Sequence, residues 1–404
     1  MSMTNRRGRS VLAIGLCVVA MAIVTAGCGS SSSTSSAGGA LKLKIGFSGD
    51  FSGPVAPYDV PVLNGMKMAA KEINAKGGLN GVTVDVLGED NKSNQAGAVQ
   101  AAQDLLDKGY KTQVLTTVDG MIAVGQLVSK AGGILAGGMA TTPSIIHSVG
   151  DRAFSLIFSD MAQAAVSAQR ACDYGYKTAY LLVGPEYDYT KFMPRYFEKA
   201  FAHICGGKVI GSVDYKLGQI DFGAQVTKIQ QANPKPDVIF SGIFLPDTGP
   251  FLKRLRSVGI TTPFMGGDGN DSKFFVDSTG SAAGGVIYTA HGAATPGSEL
   301  AKFYTDYKRL IGKDVESYTF EAVGRDTVYA LAQVAAQAKS TDPDKLLKGV
   351  LAIKNMDLVT GKISSIDPTT HYPQKQVFQV KMVGEKRTFL APLQPSYVPP
   401  PQYK

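Results

Sequence analysis

The sequence predicts an α/β protein with parallel sheets, repeated in two lobes, and three observations support this fold class. From residue 41 onward, short segments rich in Val, Ile and Leu alternate many times with helical segments. Such alternation is typical of parallel strands that helices cover on both faces. The helical segments carry one apolar face and end at glycines. The length of 404 residues favours two domains. We therefore predict a doubly wound architecture of two lobes.

The first half of the chain alternates predicted strands with predicted helices in regular order. The segment LKLKIGF starts at residue 41 and predicts a strand, as do VTVDVLGED and TQVLTT further on. Between the first two strands, one helical face is apolar and the helix ends at Gly77 and Gly78. That face consists of Val62, Met66, Ala69, Ala70 and Ile73. The segment QAGAVQAAQDLLDKG predicts a second helix, which ends at Gly109.

The same alternation resumes in the second half with five predicted strands separated by helical segments. These strands are TAYLLVG, KVIGSVDY, PDVIFSG, TPFMGG and GVIYTA. In open parallel sheets, ligands bind beyond the carboxyl ends of the strands, where loops lead into helices. We therefore expect a ligand to be surrounded by the loops that follow the strands. They are SGDFSGPVAPYD, DNKSNQ, TVDGM and GGMATTPS in the first half and GPEYDYT, IFLPDTG and GGDGND in the second.

The N-terminus predicts export. The segment MSMTNRRGRS carries three arginines and no acid, and residues 11–24 form an apolar run shorter than the ~20 residues of a membrane-spanning helix. The TAGC that follows resembles the bacterial lipoprotein signal box, in which the cysteine is lipidated and becomes the mature N-terminus. This resemblance implies a signal peptide over residues 1–27, a lipid on Cys28 and a Ser/Gly-rich tether over residues 28–40. The alternative is a plain secretory signal cut near Ala26.

Charge and cysteine content narrow the function classes further. Loss of residues 1–27 removes three arginines and lowers the formal net charge from +8 to +5, without basic runs in the remainder. Nothing in the sequence therefore favours nucleic-acid binding. Cys17 and Cys28 belong to the signal and the lipid site. Outside the cytoplasm, the remaining Cys172 and Cys205 are expected to form a disulfide. In the chain-entropy model, this disulfide would stabilise the fold by ~3–4 kcal/mol. The alternative is that both remain buried, reduced thiols. The four histidines are widely separated, so no metal site is predicted.

The loops and helices follow one another in an order that resembles the leucine/isoleucine/valine-binding proteins. The similar stretches are GFSGDFSGPVAPYD, GMKMAAKEINAKGGLNG, GMATTPSI, VGPEYDYT and FLKRLRSVGITTPFMGGDG, and the resemblance covers nearly all of residues 42–390. Members of this family are amino-acid receptors of ABC importers with the type I periplasmic-binding fold. The resemblance implies two Rossmann-like lobes joined by a three-strand hinge and no cofactor. The N-terminal lobe would comprise 41–160 plus 291–354, and the C-terminal lobe 161–290 plus 355–404.

The resemblance places ligand contacts of the first lobe in two loops. In PVAPYD, the aromatic residue that lies against the ligand corresponds to Tyr58, unless this side chain only packs the loop. In MATTP, a family loop that binds an amino-acid carboxylate corresponds to Ala140, Thr141 and Thr142. A threonine before a helix offers a hydroxyl beside free N–H groups at the positive end of the helix dipole. A plain N-cap would use the same threonine.

In the second lobe, the resemblance assigns aromatic and acidic ligand contacts. VGPEYDYT places the ligand-facing tyrosine at Tyr189, with Tyr187 at the cleft mouth, and IFLP places an aromatic partner at Phe244. MGGDG places Asp268 where the family pairs an acid with the ligand's ammonium group. A desolvated carboxylate needs such a cation, whereas a turn-forming aspartate is the alternative. Phe320 would add a hydrophobic wall, unless it is simply part of the core.

The third loop departs from the family pattern. TVDGM places Asp119 where relatives commonly carry a serine that helps to hold the ligand carboxylate. Two like charges in a dry cleft repel each other by an energy on the order of several kcal/mol. Asp119 together with Asp268 would therefore suit a cationic or amide-bearing ligand better than an aliphatic amino acid. A turn role for Asp119 before Gly120 is the alternative.

Three functions from different classes are consistent with an exported α/β protein of this kind. The first is a lipid-anchored receptor outside the cytoplasm that captures a small polar ligand, an amino acid or a related amide or amine, and delivers it to the permease of an ABC importer. The second is a ligand sensor on the same fold that signals to a membrane partner. The third is an exported hydrolase, but the chain has no G-x-S-x-G, H-E-x-x-H or Walker motif. The sequence favours the receptor, without catalytic residues.

Overall fold

The computed structural model describes residues 40–403, so the predicted signal peptide, Cys28 and residues 28–39 of the tether lie outside the described residues. Two large sheets and one small sheet, with their helices, make up the described part of the chain. Within that part, no helix is long and apolar enough to cross a membrane.

The first sheet contains five strands and is parallel throughout. Its strands are β1 (Leu41–Gly49), β2 (Val82–Asp90), β3 (Thr112–Leu115), β4 (Ile134–Gly137) and β5 (Ala153–Ser155), in the order β2-β1-β3-β4-β5. The connecting helices are α1 (Ala56–Ala75), α2 (Gln95–Asp107) and α3 (Val118–Lys130). The carboxyl ends of all five strands therefore point to one edge, where the predicted ligand loops begin.

The second sheet has seven strands, five of them parallel. Its parallel strands are β6 (Thr178–Val183), β7 (Lys208–Asp214), β8 (Val238–Ser241), β9 (Phe264–Gly266) and β10 (Val286–Ala290). The helices of this half are α4 (Asp160–Asp173), α5 (Asp188–Cys205), α6 (Gly223–Gln231), α7 (Thr248–Ser257) and α8 (Lys273–Thr279). The α/β class with parallel sheets and two lobes is confirmed by this architecture and by the structural relatives described below.

After β10 the chain continues through three helices and returns to the second sheet near its end. The helices are α9 (Glu299–Ile311), α10 (Phe320–Ala338) and α11 (Pro343–Leu351). A small antiparallel sheet follows, formed by β11 (Lys354–Met356), β12 (Ile363–Ile366) and β13 (Pro373–Lys375). The hairpin of β14 (Phe378–Val383) and β15 (Lys386–Phe389) then pairs antiparallel with β10 and completes the second sheet in the order β15-β14-β10-β9-β8-β6-β7. The lobe boundaries inferred from the resemblance stay a prediction.

Two glycines let helix α10 pack tightly along helix α1 of the first half. A Cβ on Gly65 would lie 1.8 Å from the Glu321 carbonyl oxygen, and one on Gly324 would lie 2.0 Å from the Val62 carbonyl oxygen. Only a residue without a side chain fits at either crossing point. The helix is therefore fixed against α1 with its N-terminal residue, Phe320, buried near the start of α1.

The predicted disulfide is present and joins the ends of two neighbouring helices. Cys172 lies at the end of α4 and Cys205 at the end of α5, with their Cα atoms 5.9 Å apart. The N-terminal ends of the same two helices carry Asp160 and Asp188, which belong to the cleft region described next. The disulfide thus ties together the helix ends that lie farthest from that region.

Candidate ligand-binding cleft

A cleft of about 730 Å³, including space open to solvent, lies where loops of the two halves meet. Its size is typical of small-molecule sites, which span ~300–1,000 Å³. From the first half, residues at the start of α1, the start of α3 and the loop after β4 line it. From the second half, residues at the start of α5 and after strands β8 and β9 line it. The lining elements are therefore those that the sequence predicts at the carboxyl ends of the strands.

Eight of the nine residues that the resemblance assigned to a ligand line this cleft. They are Tyr58, Asp119, Ala140, Thr141, Thr142, Tyr189, Phe244 and Asp268, and Tyr187 lines it with them. Phe320 does not line the cleft, because it is fully buried behind Tyr58 with the two ring centroids 5.4 Å apart. It supports the aromatic ring that faces the cleft, as a core residue would.

Aromatic rings form one wall of the cleft, with Phe244 at its centre. The Phe244 ring lies 6.1 Å from both the Tyr58 and the Tyr189 ring centroids, in edge-to-face geometry with each. Tyr187 lies 6.5 Å from Phe244 and is 36% exposed, so it stands at the mouth. Edge-to-face pairs of this kind stabilise one another beyond the burial of their surface. The wall is therefore a preformed apolar surface with π faces available to a ligand.

Tyr58 connects the two halves directly. Its hydroxyl lies 3.1 Å from the Leu245 carbonyl oxygen and 2.9 Å from the Gly269 carbonyl oxygen, and it donates a shared hydrogen bond to them. Tyr58 belongs to α1 of the first half, whereas both acceptors lie in loops of the second half. The hydroxyl can make this contact only when the two halves are close together across the cleft.

Asp268 lines the cleft but is already held by protein donors. The Tyr189 hydroxyl donates to its Oδ1 at 2.9 Å, and Nε2 of His291 lies 2.8 Å from its Oδ2. The residue is only 2% exposed, and its backbone N–H donates to Oε1 of Gln163. These donors offset the desolvation of the carboxylate, so a ligand cation is not required to hold Asp268 in place. An ammonium group at this end of the cleft would add to an existing network.

A second buried acid, Asp160, lies next to this network. The Thr142 hydroxyl donates to its Oδ2 at 2.8 Å and the Gln163 amide donates to its Oδ1 at 2.9 Å. Burial, with the nearby charge of Asp268, raises the pKa of Asp160 to about 7 against the hydrogen bonds from Thr141, Thr142 and Gln163. The hydroxyls of Thr141 and Thr142 both stabilise the Asp160 carboxylate, so this acid competes with a ligand for the hydroxyls of the predicted loop.

Asp119 lies in the first turn of α3, where its carboxylate lines the cleft. Thr117 caps this helix, with its hydroxyl accepting from the Gly120 N–H at 3.2 Å. Burial raises the pKa of Asp119, and the carboxylate of Asp188 on the opposite wall raises it further. An acid in the first turn suits the helix dipole, but two facing acids repel each other.

Asp59 is a cleft residue that the sequence reasoning missed. It is 1% exposed, and burial raises its pKa to about 7 against the Thr116 hydroxyl and the Asp50 N–H. The Asp50 N–H donates to its Oδ2 at 2.6 Å, while its buried Oδ1 has no hydrogen-bond partner among the described residues. Asp59 directly follows Tyr58 in PVAPYD, so the rule that pointed to Tyr58 could have found it.

Gln163 and His291 were also missed, together with Asp160. Asp160 follows β5, a three-residue strand in AFSLIFSD that had not been recognised. His291 follows β10 and could have been found by inspecting the residue just beyond that strand. Gln163 lies one helical turn after Asp160, and no local signal marks its role.

The charge of the cleft is one-sided. Among the described residues that line it, there are four acids and no lysine, arginine or histidine. The acids are Asp59, Asp119, Asp188 and Asp268. Within residues 40–403, no group of three or more potential metal ligands is placed to hold a metal ion. The potential in the cleft therefore favours positively charged solute groups.

The fold and the cleft together define a class of protein. Two α/β halves meet at the carboxyl ends of their strands and enclose a space of ligand size, and side chains from both halves line that space. This is the arrangement of a two-lobed solute-binding protein, which holds its ligand between the lobes.

Comparison with known proteins identifies the family. Residues 42–387 match the family described as periplasmic binding protein, and the chain belongs to this family. The Leu/Ile/Val-binding protein homolog 1 of Brucella abortus is 25% identical over 324 residues, which are 79% of this chain and 85% of that protein. The Leu/Ile/Val-binding protein BraC3 of Rhizobium johnstonii is 26% identical over 326 residues, or 80% of this chain and 87% of that protein.

A solved structure supports the same assignment. The branched-chain amino acid transporter substrate binding protein LivJ of Streptococcus pneumoniae, solved in complex with isoleucine, superposes with a TM-score of 0.77 at 25% identity. The match covers 88% of this chain and 100% of that chain. The resemblance seen in the sequence is thus confirmed. Because the family and these relatives are solute-binding proteins, the chain is a binding protein and not an enzyme.

Proposed function

We propose that the protein is a receptor outside the cytoplasm, lipid-anchored through Cys28, which captures a small polar solute and delivers it to an ABC importer. The solute is an amino acid or a related amide or amine. The observation that carries this proposal is the cleft between the two halves, lined from both sides and spanned by the Tyr58 hydroxyl. A ligand that fills the cleft favours closure, and closure presents a surface that an importer can recognise.

The relatives support an amino-acid-like ligand. The curated relatives are named for leucine, isoleucine and valine, and the Streptococcus pneumoniae protein was solved with isoleucine. In this chain, Thr141 and the first turn of α3 offer hydroxyl and N–H groups for a carboxylate, and Asp268 with Tyr189 offers acceptors for an ammonium group. The additional acids of the cleft extend the ligand class toward amides and amines.

The association with an importer rests on the same relatives and on the predicted anchor. The Streptococcus pneumoniae relative is a substrate binding protein of a transporter. A lipid at Cys28 and a tether of about a dozen residues would keep the receptor beside a membrane permease. Replacing Cys28 with Ser tests the anchor, because the variant is expected to move from the membrane fraction to the soluble fraction. Equal partition of both proteins would contradict the anchor.

A ligand panel tests the receptor function. The full chain is purified in mild detergent, and its unfolding temperature is measured with branched, acidic, basic and aromatic amino acids, with amides, polyamines and small organic acids. A ligand at 100 times its dissociation constant stabilises a protein by ~2.7 kcal/mol, which shifts the midpoint by a few degrees. A shift confined to one chemical class supports the receptor and defines its solute. Absence of any shift across the panel would argue against the proposed ligand class.

A further inference from the structure

The ligand cleft continues into a second chamber of different character. Besides the residues that it shares with the cleft, this chamber is lined mostly by polar side chains, among them Asn91, Ser93, Asn94, Gln95 and Glu186. Six residues line both chambers: Val55, Asp59, Thr116, Thr117, Asp119 and Tyr187. The two chambers are therefore adjacent, and Asp59 and Asp119 stand at their junction.

The junction offers an acceptor that no protein group uses. Asp59 Oδ1 is buried and without a hydrogen-bond partner among the described residues, although its Oδ2 accepts from the Asp50 N–H. The Thr116 hydroxyl lies close enough to this carboxyl to favour its ionised form, so it is the protein group with which a solute donor would share the site. A buried carboxylate oxygen without a donor is costly, and a solute donor would remove this cost.

No positive group of the protein balances the acids around this point. The described residues that line the two chambers include no lysine, arginine or histidine. Asp119 faces Asp188 from the opposite wall, and Glu186 adds a carboxylate to the second chamber. Asp59 and Asp119 lie in the first turns of α1 and α3, so the dipole of each helix offsets only part of the charge of its acid. The aromatic wall of Tyr187 and Phe244 provides π faces that also attract cations.

We propose that the solute is an elongated cationic amine and that a positively charged amino group sits at the junction of the two chambers, where it donates to Asp59 Oδ1 with Asp119 alongside. This inference rests on the proposed receptor function and names its solute class. Basic amino acids and linear diamines both carry the required group. Only the basic amino acids also carry a carboxylate, which would lie at Thr141.

The position of the amino group predicts a proton exchange on binding. The pKa of Asp59 is about 7 in the closed structure, raised chiefly by burial. The ionisable groups around it are Asp50 in the preceding loop, Asp119 on α3, and Glu186 and Tyr187 before α5. None of these side chains carries a positive charge, so a solute cation is the group that would stabilise the ionised form of Asp59. At pH 7 a cationic solute would therefore favour the ionised form and release protons, whereas a solute carboxylate on Asp59 would cause proton uptake.

Isothermal titration calorimetry on the full chain tests the inference. L-Lysine, L-arginine, putrescine, L-glutamine and L-leucine are titrated at pH 7 in buffers of different ionisation enthalpy, which gives affinity and proton exchange together. We expect a cationic solute to bind at least tenfold more tightly than the neutral ones and to release protons. A preference for lysine or arginine over putrescine would add a carboxylate anchor, and the reverse preference would assign the site to diamines.

Variants locate the amino group. We expect Asp59→Asn to weaken cationic binding at least tenfold and to abolish proton release, and Asp119→Asn to weaken it about threefold to tenfold. Asp119 is only partly buried, so its variant remains informative if Asp59→Asn does not fold. Asp104→Asn on the exposed side of α2 removes one negative charge that lines neither chamber and should change neither quantity.

The possible failures separate the inference from the receptor function. Tight binding of a neutral amino acid without proton release, unaffected by either variant, would overturn the inference and leave the receptor function standing. Proton uptake on binding would overturn it as well, because it places a solute carboxylate on Asp59. Absence of binding by every compound in the thermal and calorimetric panels would overturn both proposals.

Discussion

Removal of the Tyr58 hydroxyl tests whether this group holds the two halves together around a ligand. In Tyr58→Phe the ring stays in place against Phe244 and Phe320, whose centroids lie 6.1 and 5.4 Å from it. The variant loses only the hydrogen bond that the hydroxyl shares between the Leu245 and Gly269 carbonyl oxygens, at 3.1 and 2.9 Å. A hydrogen bond of this type contributes about 0.5–1.5 kcal/mol net.

The loss applies to the closed form alone, because the donor and the acceptors belong to different halves. A closed form that is less stable by about 1 kcal/mol weakens ligand binding about fivefold, since 1.4 kcal/mol corresponds to a factor of ten. Calorimetry with the ligand found in the panel measures this change. Thermal unfolding without ligand should change little, because the hydroxyl is free to bond water once the cleft opens.

A matched control is Tyr180→Phe, which removes a hydroxyl that lies 3.5 Å from the Ser212 carbonyl oxygen on the neighbouring strand, within the second half. This variant should bind the ligand as tightly as the unmodified protein. The reasoning is refuted if Tyr58→Phe binds with unchanged affinity. It is also refuted if Tyr58→Phe without ligand is already less stable by about 1 kcal/mol, because the hydroxyl would then stabilise the fold and not the closed form.

Three further predictions concern the disulfide, the buried acids and the aromatic wall. Replacing Cys172 and Cys205 with Ser should lower the free energy of unfolding by ~3–4 kcal/mol, because 33 residues separate the two cysteines. The ligand affinity measured by calorimetry should stay unchanged. A weaker affinity would contradict the position of the disulfide away from the cleft. Asp160 has a pKa of about 7 in the fold against 3.8 as the ordinary value, so the folded state binds more protons and stability should fall as pH rises from 4 to 7. In Asp160→Asn, urea titrations across this range should show a smaller decline, and an unchanged decline would remove Asp160 as its source. Phe244→Ala should weaken ligand binding at least tenfold, since three aromatic rings lose their common partner, and retained affinity would show that the ligand does not touch this wall.

The sequence allowed the lining of the cleft to be predicted because that lining depends on local order. A loop after a parallel strand must lie at the carboxyl edge of the sheet, whatever the remainder of the chain does. Asp119, Thr141 and Asp268 follow from this rule and from the order of motifs that resembles the family, and all three line the cleft. The helix ends at glycines and the disulfide are local or nearly local signals as well.

The partners of these residues could not be predicted, because they depend on packing between distant segments. His291 reaches Asp268 across 23 residues, and Gln163 reaches it across 105. The contact of α10 with α1 depends on Gly65 and Gly324, which have no local signature that distinguishes them from turn glycines. The antiparallel hairpin that ends the second sheet was likewise outside the predicted strands, because a parallel βαβ pattern gives no information on where a final hairpin pairs.

The distribution of acids over the two walls connects recognition with closure. Asp59 and Asp119 belong to the first half, whereas Asp188 and Asp268 belong to the second, so closure brings negative charges of both halves toward each other. Asp268 accepts a hydrogen bond from Tyr189 and lies 2.8 Å from Nε2 of His291, and these contacts offset its charge in this structure. The Ser144 hydroxyl donates to Asp188 Oδ2, but Asp188 still faces Asp119, and burial together with this repulsion raises the pKa of Asp119 in the closed form. On the proposed function, a solute with a positive group at this point removes the repulsion, while a neutral solute of the same length leaves it in place. The charges that define the preferred solute would thus also oppose closure around the wrong one, which is how a binding protein rejects neutral amino acids without contacts that exclude their shape.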